Sequence, residues 1–344
     1  MKRWDFLKTV SGAAGALLVP SLLKATEPEQ GDQIPRFRLE KKVADTKSLE
    51  KLFAEDEKVK PLERFTRPDV KELAAISNAV HPPSILVVYD IIRQETVSYP
   101  VRGKKKKTES RCSNTIKNDY MTTCQLLGKE GFFLTNYFTR DKNSYYSDRR
   151  RETIFYDPST GMVRRPEMLA YSYFDPDIAL GRIRNVTADI PAHKLSFRNP
   201  RDEDWLIWLQ YNLPKHLEIE EFIKSGVIER NPPCGEEAGI EDDDAKLSSV
   251  GPLLMSWSKA FVNPEVAKEK GYFFIRGNES THNLGGTAVF DRHGKLMGLV
   301  SDTDNCKSLE MLTCKQFGSP VALKTNSPER IRTFLRQYID ACKK

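Results

Sequence analysis

The segment 281–301, "THNLGGTAVFDRHGKLMGLVS", and the residue before it contain side chains suited to nucleophilic chemistry. Ser280 and Thr281 supply hydroxyls, and His282 supplies an imidazole, shortly before a pair of glycines. Acyl transfer by a hydroxyl needs an imidazole within about 3 Å as a base and a carboxylate that fixes the imidazole tautomer. The residue directly before the glycines, however, is Leu284, which has no nucleophilic atom.

Short strands are the elements that must position these residues. The β-branched run after His81, "ILVVYDIIRQETVSYPV", follows Pro82-Pro83 and predicts a buried strand. Turn sequences such as "GKEG", "DPSTG" and "DRHG" separate further runs, which predicts an all-β barrel or sandwich. The other strand-like runs are "TTCQLLGKEGFFLTNYF", "RETIFYD", "MLAYSYF", "DIALGRI", "GYFFIRG", "GGTAVFD" and "KLMGLVS".

Helical spacing occurs at both ends of the chain and in one internal segment. Residues 26–78 are highly charged and predict an extension with two short helices, in "KSLEKLFAEDEKVK" and "PDVKELAAISNAV". The chain closes with "SPERIRTFLRQYIDACKK", where Ser327 is a suitable N-cap and an apolar stripe follows, so we expect a C-terminal helix docked on the barrel. Residues 200–248 are predicted to be an insertion, helix-rich in "DEDWLIWLQYNLPKHLEIEEFIKSGVIE" and acidic after it.

Three segments resemble, in order, the motifs of trypsin-like serine peptidases, especially their bacterial Deg-type branch. "EGFFLTNYF" resembles the strand that delivers the catalytic histidine, and Phe138 stands at the histidine position. "DPDIALGRI" resembles the segment of the orienting aspartate, here Asp177. "THNLGGTAVFDRHGKLMGLVS" resembles the nucleophile segment, with Leu284 at the serine and His282 at the oxyanion glycine. The resemblance covers about residues 80–342.

The resemblance implies two antiparallel β-barrels over residues 79–344, with the triad-equivalent positions between them. Only Asp177 retains its chemistry, because Phe138 cannot transfer a proton and Leu284 cannot attack a carbonyl. The members of such a triad act as a unit, so loss of two of them predicts an inactive homologue. Two alternatives stay open: an active serine-type endopeptidase or hydrolase with relocated groups, and a structural envelope protein whose groove is filled.

The same resemblance implies a cleft that binds an extended peptide by strand addition. The segment expected to bind it is Ser301, Asp302 and Thr303, whose main-chain hydrogen bonds need no catalytic triad. We therefore expect a protein or extended peptide as partner, and neither a cofactor nor a metal, since no His/Cys spacing suggests zinc.

The N-terminus has the features of an export signal. Residues 1–25 combine a basic start, "MKRWDFLK", an apolar run, "TVSGAAGALLVPSLL", and a small-residue site before Thr26. They predict an exported protein, periplasmic or extracellular. The route is Sec or twin-arginine-like, with Trp4 at the second arginine position. The apolar run is short for a bilayer span, although an uncleaved signal could still anchor the chain.

Composition limits the class of protein. A chain of 344 residues with 39% hydrophobic and 30% charged residues is typical of a globular protein. The net charge of +6 is a mild excess among 54 basic and 48 acidic residues, so we expect no nucleic-acid partner. Six cysteines in an exported chain are compatible with up to three disulfides, first of all Cys112–Cys124 and Cys306–Cys314, and the alternative is buried free thiols.

Overall fold

The computed structural model of the chain divides into two units, Met1–Ile34 and Pro35–Lys344. All residues that the structure describes belong to the second unit, and the predicted signal peptide, 1–25, lies outside them. The described residues are 36–52, 64–97, 110–136, 149–173, 177–187, 189–196, 198–213, 219–228, 243–262, 271–276, 285–305 and 321–344.

The first half of the unit is a nine-stranded antiparallel sheet. Its spatial order is β1-β7-β8-β4-β3-β2-β5-β6-β10. The strands are β1 Arg36–Leu39, β2 Ser84–Val97, β3 Ser110–Leu126, β4 Phe132–Thr135, β5 Arg149–Asp157, β6 Met162–Arg164, β7 Glu167–Tyr173, β8 Ile178–Arg182 and β10 Asp243–Asp244.

The second half is a closed barrel of six antiparallel strands. They follow one another around the barrel in the order β11-β12-β15-β14-β13-β9. The strands are β9 Trp205–Tyr211, β11 Leu253–Phe261, β12 Tyr272–Arg276, β13 Ala288–Phe290, β14 Leu296–Asn305 and β15 Val321–Asn326.

The two halves repeat one topology. In the barrel the order β13-β9-β11-β12 is the 4-1-2-3 order of a Greek key, and β5-β2-β3-β4 is the same order in the sheet. The spatial order continues in the same way in both halves. In the barrel β15 and then β14 lie next to β12, and in the sheet β8 and then β7 lie next to β4. The halves differ in closure, because β14 pairs with β13 whereas the outer edge of β7 pairs with β1. The all-β expectation is confirmed, and the described residues contain one closed barrel.

Four helices complete the described part of the unit: α1 Lys47–Lys51, α2 Val70–Ala79, α3 Ile219–Lys224 and α4 Pro328–Lys343. The helices predicted in the extension and at the C-terminus are therefore present. The stripe on α4 is buried and joins a core cluster that includes β4 and β8 of the sheet and β9, β13 and β14 of the barrel. The stripe consists of Ile331, Phe334, Leu335, Tyr338 and Ile339. A single apolar helix face thus helps to hold both halves together.

One helix prediction was wrong, because "WLIWLQY" is strand β9 and part of the barrel. Both faces of β9 are buried, with Trp208 in the barrel core and Ile207 in the cluster shared with α4. A strand buried on both sides is apolar throughout and carries no alternating pattern, so its sequence does not distinguish it from a buried helix.

The expected disulfide between Cys112 and Cys124 is also wrong. Both residues lie on β3, so they are separated by roughly 40 Å of extended chain, whereas a disulfide needs Cα atoms within about 7 Å. Cys124 is a buried free thiol and Cys342 a half-buried one. Cys306 and Cys314 lie outside the described residues.

Candidate functional site

The sheet and the barrel meet where the first and third motifs come together. Phe138, His282 and Leu284 lie outside the described residues, but Asn136 and Gly285, which are close to them in the chain, are described. The hydroxyl of Thr122 on β3 lies 2.6 Å from the carbonyl oxygen of Gly285 and 2.7 Å from Oδ1 of Asn136. Both motifs are therefore anchored to one threonine of the sheet.

Thr123, the next residue of β3, adds hydrogen bonds to this contact between the sheet and the barrel, which we call the seam. The amide of Thr123 donates to the carbonyl of Gly285 at 3.0 Å, and its hydroxyl donates to the same oxygen at 2.8 Å. The hydroxyls of Thr123 and Thr287 lie 2.8 Å apart. These side chains are buried, so the hydrogen bonds satisfy groups that would otherwise be costly to remove from water.

The close approach at the seam requires glycine at position 286. Its φ is +83°, and a Cβ there would lie 1.9 Å from the carbonyl oxygen of Thr123. No side chain other than hydrogen fits at that distance. The paired glycines of the third motif therefore have a packing role between the two halves, which does not depend on a nucleophile.

Asp177, the remaining triad-equivalent residue, directly precedes β8 and is half-buried. The amide Nδ2 of Asn326, at the end of β15, donates to the main-chain oxygen of Asp177 at 3.4 Å. Asn326 is the register partner of Leu299 on the neighbouring strand β14. The second motif is thus tied to the barrel strand that leads to Ser301, and the expected hydrogen bond from Ser301 to the Asp177 carboxylate stays a prediction.

The segment predicted to bind peptide forms the end of β14. Ser301 lies at a β-bulge, and its carbonyl accepts a hydrogen bond from Nδ2 of Asn136 at 3.3 Å. Asp302 and Thr303 pair with β15 along one edge. On the other edge, β13 pairs with β14 only as far as Leu299, so among the described residues no strand covers that edge beyond the bulge.

The polar side chains at the described part of the seam include threonines, Asn136 and Ser301, with Asp177 and Asn326 nearby. The histidines that the structure describes lie elsewhere, with His81 and His193 buried and His293 exposed in the turn before β14. The hydroxyls and the amide hold backbone in place by hydrogen bonding, and a base that activates a nucleophile would have to be a different group.

Sequence analysis missed a buried acid–base pair in the sheet. His81 Nε2 lies 3.0 Å from Oδ2 of Asp157, whose carboxylate also accepts hydrogen bonds from Ser159 and Thr160. Burial raises the pKa of the Asp157 carboxyl, but the hydrogen bond and charge of His81, with the two hydroxyls, outweigh it and hold the pKa below its ordinary value. The turn sequence "DPSTG" after a strand was the available signal.

A chain of hydrogen bonds extends from this pair toward the connection between the halves. Nε2 of Gln125 donates to the carbonyl of His81 at 3.0 Å and lies 3.1 Å from Nε2 of His193. Burial, assisted by the charge of His81, lowers the pKa of His193 to about 3. His193 is therefore neutral at physiological pH. Its ring packs against that of Phe290 in the barrel, with the ring centroids 5.5 Å apart. With exposures of 7% for His81 and 0% for Asp157, the pair is closed to a substrate.

Within the described ranges, no group of three His, Cys, Asp or Glu side chains is arranged to hold a metal ion. Nor do those ranges include a helix long and apolar enough to cross a membrane.

The chain was also compared with known proteins. No protein-family model matches it, and no curated protein matches its sequence.

Proposed function

We propose that the chain is an exported, catalytically inactive homologue of the trypsin-like serine peptidases that binds an extended segment of another protein. The observation that carries the proposal is the seam at Thr122, where the strand resembling the histidine motif meets the glycines of the nucleophile motif. Sequence motifs far apart in the chain converge there, as they must in a peptidase of two packed barrels.

The repeated topology gives further support to this assignment. Both halves contain the same Greek key followed by the same two strands, which suits a pair of related barrels of which the first has been opened. The opening coincides with β1 on the edge of β7 and with β6 on the edge of β5. Two short added strands therefore take up edges that a barrel would have joined.

The end of β14 supports the binding role. Past the bulge at Ser301 the strand continues to Asn305 with one edge paired to β15. An extended peptide could add to the opposite edge through main-chain hydrogen bonds, with specificity from alternate side-chain positions. Because this mode of binding needs neither a base nor a nucleophile, it survives replacement of the triad residues.

Chemical reactivity tests the inactive state. The purified protein should not react with a serine-directed fluorophosphonate, because the triad-equivalent positions hold Phe138 and Leu284. An active trypsin-like peptidase, labelled in parallel, controls for the reagent. Stoichiometric labelling that disappears in Ser280→Ala or Thr281→Ala would contradict the proposal and support a hydrolase with relocated groups.

Peptide binding tests the role itself. A phage library of random linear heptapeptides should yield binders, and a photo-crosslinking amino acid at Thr303 should capture them. The same amino acid at Val70, which is 82% exposed and lies on α2, is the matched control and should not. Failure to enrich any peptide, or equal capture at both positions, would favour a structural protein whose groove is filled.

A further inference from the structure

The outer edge of β7 is covered by β1, which lies along it as a bound peptide would. The two strands are antiparallel, and their register runs from Arg36 opposite Tyr173 to Leu39 opposite Ala170. The next two amides, of residues 40 and 41, both donate to the carbonyl of Leu169, at 2.9 and 3.0 Å. Main-chain hydrogen bonds thus hold the whole segment to the sheet edge.

The side chains of β1 alternate between a groove and the opposite face. Phe37 meets the ring of Phe334 on α4 edge to face, with centroids 5.8 Å apart, and Leu39 packs against the same core cluster. Arg38 lies over the ring of Tyr171 at 5.7 Å. The groove between β7 and α4 therefore selects an aromatic residue and an aliphatic residue two positions later, which is how strand addition acquires specificity.

Contacts at the end of the segment complete the site. The hydroxyl of Tyr338 on α4 donates to the carbonyl of Lys41 at 3.2 Å, and Nζ of Lys41 lies 3.1 Å from a carboxylate oxygen of Glu167. Between Lys41 and α1, the connector 42–46 exposes Lys42, Ala44 and Asp45. Residues 36–41 thus bind as an extended ligand, and a five-residue connector, in which Val43 packs against the core cluster and Thr46 is buried, joins them to α1.

We propose that the groove between β7 and α4 is a strand-exchange site whose partner is the segment 36–41 of a second copy of this chain. Each copy offers both the segment and the groove, so reciprocal exchange closes a two-fold dimer. The segment makes the same contacts in its own groove and in the groove of a second copy. The equilibrium between monomer and dimer therefore depends on the connector and on protein concentration. The groove is a different surface from the β14 edge, and this proposal does not depend on peptide binding at β14.

A labelled peptide tests the groove. The probe is a fluorescent peptide of residues 35–46, added to the full-length chain carrying Phe37→Ala, which weakens occupancy by its own strand. This variant should bind the probe about tenfold more tightly than the wild type does, and a probe that itself carries Phe37→Ala should bind the variant about tenfold more weakly. Lys42→Ala, at an exposed position beyond the bound segment, is the matched control and should behave as the wild type. Absence of binding to a Phe37→Ala chain that still melts cooperatively would overturn the proposal.

The partner is tested by the length of the connector. Deleting Ala44 and Asp45 should prevent the strand from reaching its own groove and convert the full-length chain to a dimer, measured by light scattering across a concentration series. This measurement also decides the case if the Phe37→Ala chain fails to fold. A folded deletion variant that stays monomeric at all concentrations would exclude a second copy as the partner.

Discussion

At the scale of single residues, the interior of the sheet shows how differently two buried polar groups can be satisfied. Asp157 accepts hydrogen bonds from His81, Ser159 and Thr160, whereas the hydroxyl of Ser84 has no partner among the described residues. A buried polar group stabilises a fold only when it is paired, so these two positions should respond to substitution in opposite ways.

Replacing Ser84 by Ala should leave the free energy of unfolding unchanged or raise it by up to about 1 kcal/mol, because the substitution removes an unpaired buried hydroxyl. The matched control is Thr135→Val, at another fully buried position, where the hydroxyl donates to the carbonyl of Thr123 at 2.7 Å. The control should lose about 1–2 kcal/mol. Urea unfolding measures both, and equal losses would show that Ser84 has a partner.

Replacing Asp157 by Asn should lower the free energy of unfolding at pH 7 by about 3 kcal/mol, since it breaks a buried pair. The pKa of Asp157 is held below its ordinary value near 4, so its contribution is complete above about pH 4 and is lost as the pH falls through the lowered pKa. The difference between wild type and variant should therefore shrink in urea titrations as the pH is lowered below about 4. Glu50→Gln, at a surface ion pair with Lys343, is the control and should change little. A difference that does not depend on pH would contradict this assignment.

At the scale of secondary structure, α2 is held mainly by its ends. Ile76 is its one buried residue, and its first turn carries a capping box in which Asp69 and Glu72 each accept from the other's main-chain amide, at 2.8 and 3.0 Å. Glu72 also pairs with Arg292 in the turn between β13 and β14. The cap therefore stabilises the helix and helps to dock it on the barrel.

Replacing Asp69 by Ala should destabilise the protein by about 1 kcal/mol, because the amide of Glu72 loses its side-chain acceptor. Asp69→Ser, which retains a capping oxygen, should recover most of that loss. Thermal unfolding followed by circular dichroism distinguishes the two variants. If Asp69→Ser is as unstable as Asp69→Ala, the charge of Asp69 matters more than its hydrogen bond.

The sequence could predict elements with a clear period and could not predict those whose pattern depends on tertiary structure. Strands β7, β8 and β12 to β14 follow from short apolar runs bounded by turn residues, and helix α4 follows from its capping residue and its apolar stripe. The sequence of β9 is also a continuous apolar run, but it stands within a longer segment of helical composition, so it favours a helix. β1 and β10 have four and two residues, too few for any period to be visible. At the candidate site, motif order indicated which segments meet, but the contacts of Thr122 required the folded structure.

At the scale of the whole molecule, the two halves are joined at a seam with little room. Gly286 has a φ of +83° and approaches Thr123, whereas Gly226 has a φ of +81°, and a Cβ added to it would meet nothing within 4 Å. The two glycines carry the same backbone conformation and differ in their surroundings. Comparing an alanine substitution at the two positions therefore separates the free-energy cost of backbone strain from the cost of forcing the sheet and the barrel apart.

Replacing Gly226 by Ala should cost about 1 kcal/mol for the left-handed backbone alone. Replacing Gly286 by Ala should cost about 3 kcal/mol more, because the new methyl group would overlap the carbonyl oxygen of Thr123 and the packed seam would have to shift. Urea unfolding of the two variants gives the difference directly. Similar costs at the two positions would mean that the seam yields easily to an added methyl group.

The open sheet also bears on how the protein behaves when concentrated. Exposed sheet edges recruit further strands and lead to aggregates unless something blocks them. Here the far edge, beyond β6, ends in a strand of only two residues, Asp243 and Asp244, which is both short and acidic. Such an edge repels a copy of itself and offers few hydrogen bonds. Self-association through the β10 edge should then be disfavoured, whereas exchange at the β7 edge closes on itself and gives small assemblies in place of fibres.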